Sequence, residues 1–476
     1  MSKIYRKIFW DTTKYIILRN FFMGVTGIIN IFFVRFLGPY EYGKYSLVWN
    51  LISTLGPILS LGWLNTLTKF VPQKVSLQEK YNLLSQSLIS IFFAGSLFLL
   101  TMIFIKKFFQ AFLPAEIKDI FYIFIIFVVL VSFFNAFEGF WRGLGKFNEF
   151  VIIDGIRSNT SSILGLILII YGFLSYKTIL KSNFFVSLIF LVILFSISFK
   201  NFNFKILNFE KQIIIFCLTF LFGQFIYMLS INLDVLLLRG ILKDPAQVGF
   251  YFASTRVPKL IETMLISQIP APFFYYFSSN QNFAMKNKIL IFSSKFLGFI
   301  FGIVGLIFFS FAEYILPFLF GKNYLESVEA FRFFSLYLPV FGFVVLFSPF
   351  FVSENKPFIF ISVYGLVMIL LYNFLNIVFI YRFKFFALII SYLTAFVVFV
   401  FIICFVCLIK FNINLIYNFL YLVSFIFISC VVEILFKIKI APFLFLTLCF
   451  SIKFIKIDEI KKFLNFLINK DIKLNI

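Results

Sequence analysis

Arg256, Lys259 and Glu262 stand three residues apart in the stretch RVPKLIE, inside an otherwise apolar segment. At helical spacing they share one face, which places two cations and a carboxylate in a single stripe. Each such charge at the centre of a membrane helix costs about 2.5 to 3.5 kcal/mol, so the stripe should face a hydrated cavity or be satisfied by local Lys259 to Glu262 pairing. Pro258 sits among them and is expected to kink the helix, freeing a backbone carbonyl beside the stripe. Asp154 and Arg157 form a second i, i+3 pair, read either as an interfacial ion pair or as a ligand contact. Arg19 lies close enough to the end of the first apolar segment to snorkel. Arg256, Lys259, Arg157 and Arg19 are therefore the candidate cavity cations, suited to an anionic group moving through a low-dielectric slab. Glu262, Asp154 and Asp234 are the candidates for coupling or gating, because burial raises a carboxyl pKa and lets protonation follow conformation. For Asp234 a coupling-cation site, a gate and an interface anchor all stay open. Glu138 and Arg142 are expected to shape a loop.

Other chemistries lack their residues. The chain has no His, the usual proton carrier near neutral pH. Its five cysteines all lie in apolar segments, and Cys404 with Cys407 form a lone CxxC with no second pair, so no metal site is expected and packing or lipid contact is the reading. There is no GxxxxGK[ST], and Gly321 with Lys322 lacks the preceding glycine and following hydroxyl of a phosphate-binding loop. No cofactor is expected. The formal charge of +22 is strung out between apolar runs instead of clustered, which fits loops against anionic headgroups and not nucleic acid.

The elements that must position these residues are membrane helices. Hydrophobic residues make up 62% of the 476 and charged residues 13%, against roughly 45 to 50% and 25% in a soluble domain. The 81 phenylalanines are read mainly as codon bias. Runs long enough to cross about 30 Å of hydrocarbon fall near 15–34, 45–67, 83–105, 120–140, 151–171, 178–199, 212–238, 248–269, 289–311, 326–351, 358–380, 386–409, 413–435 and 440–457. The first is too long for a signal-peptide core and lacks a small-residue cleavage site, so it is kept as a helix. Connections are short, which leaves no room for a soluble catalytic domain. Basic residues favour cytoplasmic termini, the excess coming from the two tails. The tail carries Ile460, Phe463, Leu464, Leu467 and Ile468 at helical spacing and is expected to lie along the interface as an amphipathic helix. Gly298 and Gly302 form a GxxxG, read as close packing within the chain.

A pattern of Pro, three residues, Gly, one residue and Tyr occurs twice, at Pro39, Gly43, Tyr45 and at Pro245, Gly249, Tyr251. Six apolar segments separate the copies, so both lie on one side of the membrane and the halves read as parallel repeats. Two like halves in a membrane suggest a transporter and not an enzyme.

RFLGPYEYGKYSL and LSLGWLNTLTKFVPQ resemble the start of bacterial Wzx-like polysaccharide flippases of the multidrug/oligosaccharidyl-lipid/polysaccharide exporter superfamily. FEGFWRGLGKFN, INLDVLLLRGILKDPAQVGFYFASTRVPKL and LPFLFGKNYLES are similar to later passages of the same family, in order, across most of the chain. Near the eleventh segment YRFKFFA replaces the family's usual Gly-containing, Ala-rich turn, which puts local packing in question. The resemblance implies an all-α polytopic membrane protein of about 14 helices. It implies two six-helix lobes, 1–205 and 206–410, around a V-shaped cavity, with two further helices and the tail in 411–476. It implies alternating access moving an undecaprenyl-diphosphate-linked oligosaccharide, an O-antigen or capsule repeat, from the inner to the outer leaflet of the bacterial cytoplasmic membrane. Arg256 sits where related flippases place a cavity arginine. The expected partners are that glycan and membrane lipids, with a proton or sodium ion and polysaccharide polymerase machinery as further candidates. Small-molecule or cation antiport within the same superfamily is the alternative, although a cation exporter would more naturally show buried carboxylates without paired Arg and Lys. A glycosyltransferase or polymerase is disfavoured by the lack of a DxD and of a long outer loop.

Overall fold

Backbone polar groups in hydrocarbon must bond within their own segment, which permits helices and closed barrels alone. The computed structural model takes the first course: its described residues hold helices and turns and no strand. These residues are 2–104, 115–199, 202, 210–231, 233–266, 269–270, 273, 277, 282–354, 356–452 and 454–455. The helices are α1 (Ser2–Leu59), α2 (Trp63–Phe70), α3 (Leu77–Phe104), α4 (Ala115–Lys118), α5 (Phe121–Gly143), α6 (Phe147–Ile170) and α7 (Tyr176–Phe199). They continue as α8 (Lys211–Ile231), α9 (Leu233–Leu242), α10 (Pro245–Ile261), α11 (Phe283–Phe320), α12 (Ser327–Ser335), α13 (Tyr337–Val344) and α14 (Phe347–Ser353). The last are α15 (Pro357–Leu366), α16 (Asn373–Phe383), α17 (Phe386–Phe411), α18 (Ile416–Phe436) and α19 (Ala441–Ser451).

Ten of the described helical stretches are long and apolar enough to cross a membrane. The difference from fourteen has local causes. The first two expected segments run as one helix, α1, bent at Gly38, whose φ of 69° and ψ of 172° interrupt the helical path. Pro39 disfavours the helical region for the residue before it, and glycine reaches positive φ without a Cβ clash. The seventh segment spans α8 and α9, with residue 232 between them outside the described residues, the eighth spans α10 and the described residues up to Ile266, and α19 has 11 residues. The amphipathic tail expected over 460–468 lies outside the described residues.

The chain forms two compact units: Met1–Phe252 with Ile380–Phe385, and Ala253–Phe379 with Phe386–Ile476. Both motif copies thus fall in the first. Its helices approach closely at glycines: Gly139 packs against the backbone of Leu64, and Gly62, at φ 78°, packs against the Cys217 carbonyl. In the second unit, Gly298 faces Leu422 and Phe343 while Gly302 faces the Phe445 ring, as the GxxxG predicts. Aromatic rings fill the same unit, with Tyr337 5.0 Å from Phe396 and 5.3 Å from Tyr392. All five cysteines are buried, which makes them packing residues and not lipid contacts.

The turn that departs from the family pattern also has a defined geometry. Lys384, between α16 and α17, takes φ 52°, the left-handed conformation that glycine adopts most readily. The neighbouring Phe385 ring lies 5.5 Å from that of Phe250 and belongs to the first unit.

Candidate functional site

In the first unit the charges expected from α5 and α6 are held in defined pairs. Arg157 donates from Nε and Nη2 to Asp154 Oδ1 at 3.0 and 2.7 Å, and from Nη1 to Ser187 Oγ on α7 at 2.8 Å. Its guanidinium lies 4.7 Å from the Phe134 ring of α5, a cation–π distance. Three groups on three helices therefore fix one guanidinium plane, a pre-organised fork of the kind that binds carboxylates and phosphates. One turn of α5 holds Glu138 and Arg142 as an i, i+4 ion pair. Glu138 also lies within electrostatic reach of Asp154 and Arg19. Arg19 is exposed and donates to the Tyr15 hydroxyl at 3.2 Å.

Asp234 is 2% exposed. Its Oδ2 accepts from the Tyr251 hydroxyl at 2.9 Å, and its Oδ1 accepts from the backbone of Val235. Tyr251 ends the second motif copy, so Asp234 bonds to the repeat itself. The two copies also touch. A methyl placed on Gly43 would lie 1.8 Å from the Pro245 carbonyl oxygen, and one on Gly249 would lie 2.0 Å from the Pro39 carbonyl oxygen. Each glycine thus packs on the proline carbonyl of the other copy, a reciprocal approach that no side chain larger than hydrogen permits.

In the second unit α10 carries the stripe. Arg256 is half-buried and makes no hydrogen bond or ion pair among the described residues. Lys259 lies 6.0 Å from the Phe334 ring, and Glu262 is reached by the Lys259 charge and by a hydrogen bond from Tyr337. Pro258 lies inside α10, which passes at Glu262 into a π-helical turn, Glu262–Ile266. A π-turn beside a proline re-aims side chains and is frequent at functional sites. The change from α- to π-helical geometry falls at the carboxylate.

The site residues are therefore gathered in two groups, one per unit: Asp154, Arg157, Glu138, Arg142 and Arg19 in the first, and Arg256, Lys259 and Glu262 in the second. Ser187, Phe134 and Tyr337 complete them, and sequence reasoning missed all three because each reaches its partner across more than 20 residues of chain. Glu433 was missed as well. It is 7% exposed on α18, and its Oε2 accepts from Ser310 Oγ and from the Ala441 backbone at 2.9 Å, capping α19. Among the described residues no group of three His, Cys, Asp or Glu side chains is placed to hold a metal ion.

A model of the family described as polysaccharide biosynthesis protein matches residues 9–281, which include both motif copies and the α10 stripe. The chain belongs to the polysaccharide biosynthesis protein family. Among solved structures, this family member is similar to the lipid II flippase MurJ in an inward closed conformation, with 14% identity, 95% of this chain and 100% of that chain covered, and a TM-score of 0.71. It is also similar to a multidrug resistance MATE family transporter of the MOP superfamily in its inward-facing conformation, with 14% identity, 86% and 98% coverage, and a TM-score of 0.65. A MOP superfamily transporter from Pyrococcus furiosus, described as having a binding pocket of reverse polarity, follows with 15% identity, 82% and 94% coverage, and a TM-score of 0.59. At these identities the likeness shows the fold, that of the MOP superfamily transporters. No curated protein matches the chain.

Proposed function

We propose that this polysaccharide biosynthesis protein is a flippase that carries an undecaprenyl-diphosphate-linked oligosaccharide from the inner to the outer leaflet of the bacterial cytoplasmic membrane, with both termini cytoplasmic. The repeats 1–205 and 206–410 rock in alternating access, 411–476 forming an addition outside them. The observation that carries this reading is Arg256, a half-buried cation on an apolar, proline-containing helix, with no ion pair among the described residues. Such a charge is expensive in a membrane unless a counter-ion or water reaches it, and a diphosphate supplies the counter-ion. Lys259 and the Arg157 fork extend the same chemistry. The family match and the fold likeness to a lipid II flippase agree with a lipid-linked saccharide cargo. Glu262, in the π-turn and reached by the Lys259 charge, is the leading group to couple a proton or sodium ion to the motion.

Leaflet translocation of a labelled undecaprenyl-diphosphate oligosaccharide in proteoliposomes tests the proposal, wild type against Arg256→Ala at equal insertion. Translocation by the wild type and its loss in the variant are expected. A wild type that moves none of several lipid-linked glycans but exchanges a small organic cation would overturn it in favour of antiport.

A further inference from the structure

Two stretches of the first unit, residues 39–74 and 210–249, touch at both of their ends. One end is the reciprocal Gly and Pro contact of the motif copies, beside which Arg239 donates to Glu116 Oε1 on α4 at 2.7 Å. The opposite end is a seam between α2 and the first half of α8. A methyl placed on Gly62 would lie 2.5 Å from the Cys217 carbonyl oxygen and 3.1 Å from Phe220 Cβ. One turn on, the Thr66 hydroxyl lies 3.2 Å from Cys217 Sγ, and after another turn the Phe70 ring packs edge-on against Phe216 at 5.5 Å. Positions 62, 66 and 70 keep the four-residue spacing of one helix face. Beyond the helix, Lys74 Nζ meets Glu210 Oε1 at 2.5 Å.

Of the two neighbours of α2, α8 is held the more lightly. On its other side α2 meets α5 at backbone distance, with Gly139 against Leu64 and Gly143 against the Leu67 carbonyl. The first half of α8 buries one stripe, Ile213 and Cys217 with the half-buried Phe216 and Phe220, and leaves Ile214, Ile215, Leu218 and Phe222 exposed. The two ends also differ in what separation costs. At the motif end the paired side chains are buried, Arg239 at 12% and Glu116 at 2% exposed, so parting them strands charge away from water. At the seam the Glu210 side chain is 55% exposed, and water replaces its partner at little cost. The first stretch belongs to the repeat 1–205 and the second to 206–410. Rocking of the repeats cannot keep both ends shut, and the seam is the end that yields more readily.

We infer that the α2–α8 seam is a gate, shut in this structure, that parts while the motif end stays closed and admits cargo from the membrane side on which Lys74 and Glu210 lie. The inference rests on the flippase reading, which makes that side the cytoplasmic one and the cargo a lipid-linked glycan. In the open gate α2 stays on α5, α8 moves away, and Cys217 meets solvent.

Cys217 reports the opening, because it is buried at the seam and the other four cysteines lie buried in the second unit. The full chain in lipid nanodiscs is treated with N-ethylmaleimide, and modification of each cysteine is followed by mass spectrometry. Lys74→Glu and Glu210→Lys each set like charges against one another and are expected to speed labelling of Cys217 about two- to fivefold, with the other four cysteines still protected. The double variant restores the pair in reverse and should return the rate to that of the wild type. Unchanged labelling in both single variants, no restoration in the double variant, or equal exposure of all five cysteines would each overturn the gate. A second measurement closes the seam. In a chain carrying Lys74→Cys, Glu210→Cys and Cys217→Ser, a short reversible thiol cross-linker is expected to stop translocation in proteoliposomes until reductant is added. Translocation that ignores the cross-link removes the gate and leaves the flippase reading standing. A wild type that translocates no lipid-linked glycan, while Cys217 labelling still follows the charge reversals, keeps the seam as a moving contact and removes the reading.

Discussion

Arg157 shows what a single residue gains from its neighbours. The charge alone would serve electrostatics, but two hydrogen bonds to Asp154, one to Ser187 and the Phe134 ring fix the plane of its guanidinium. If the fork contacts the diphosphate, Arg157→Lys keeps the charge and loses the geometry. Translocation by Arg157→Lys is therefore expected to fall about tenfold or more, close to Arg157→Ala, whereas a mere electrostatic role would leave the lysine variant near wild type. Asp119 tests a different physical quantity. Its hydrogen bond from Lys177 holds its carboxyl below the ordinary value. A carboxyl depressed in the folded state contributes stability above its unfolded pKa of about 3.9 and loses it as pH falls through the folded value. The difference in melting temperature between wild type and Asp119→Asn should stay constant from neutral pH to about pH 5 and close below about pH 3.9. It should also be small, because both partners are more than a third exposed.

At the scale of elements, glycines set where helices bend and how near they come, and two substitutions separate the effects. Gly38 meets nothing within 4 Å where a Cβ would stand, so Gly38→Ala tests backbone conformation alone and should cost somewhat more than about 1 kcal/mol. Gly43 has the Pro245 carbonyl in that place, so Gly43→Ala must part the two motif copies and should cost at the upper end of about 1 to 3 kcal/mol. Thermal unfolding in detergent should rank wild type, Gly38→Ala and Gly43→Ala in that order. Equal losses would mean that the reciprocal contact yields easily. Lys384 runs the other way. A lysine at φ 52° carries a left-handed backbone, and Lys384→Gly should raise stability by about 1 kcal/mol. The departure from the family's glycine-containing turn is then a local cost that the chain tolerates without a change of path.

For the whole molecule the charge of +22 and the apolar helices act together. Basic loops at a membrane surface gain about 1 kcal/mol per residue from anionic headgroups, a gain that salt screens. The melting temperature should accordingly be higher in vesicles containing phosphatidylglycerol than in phosphatidylcholine, with the gap narrowing as salt is raised. A gap that ignores salt would assign the effect to specific lipid packing.

Composition and segment length were sufficient to declare an all-helical membrane protein, because the bilayer demands long apolar helices. The stripe of Arg256, Lys259 and Glu262 was legible for the same reason: helical spacing is local, and charge inside an apolar run stands out. What the sequence did not decide was which distant groups meet. Gly43 and Pro245 are far apart along the chain, as are Glu116 and Arg239, and nothing in local periodicity brings either pair together. Only the packed helices place each motif glycine on the other copy's proline carbonyl and the Arg239 guanidinium on Glu116, 2.7 Å from its Oε1. Contacts between helices depend on the register and bend of both partners, which the bend at Gly38 and the break between α9 and α10 set in three dimensions.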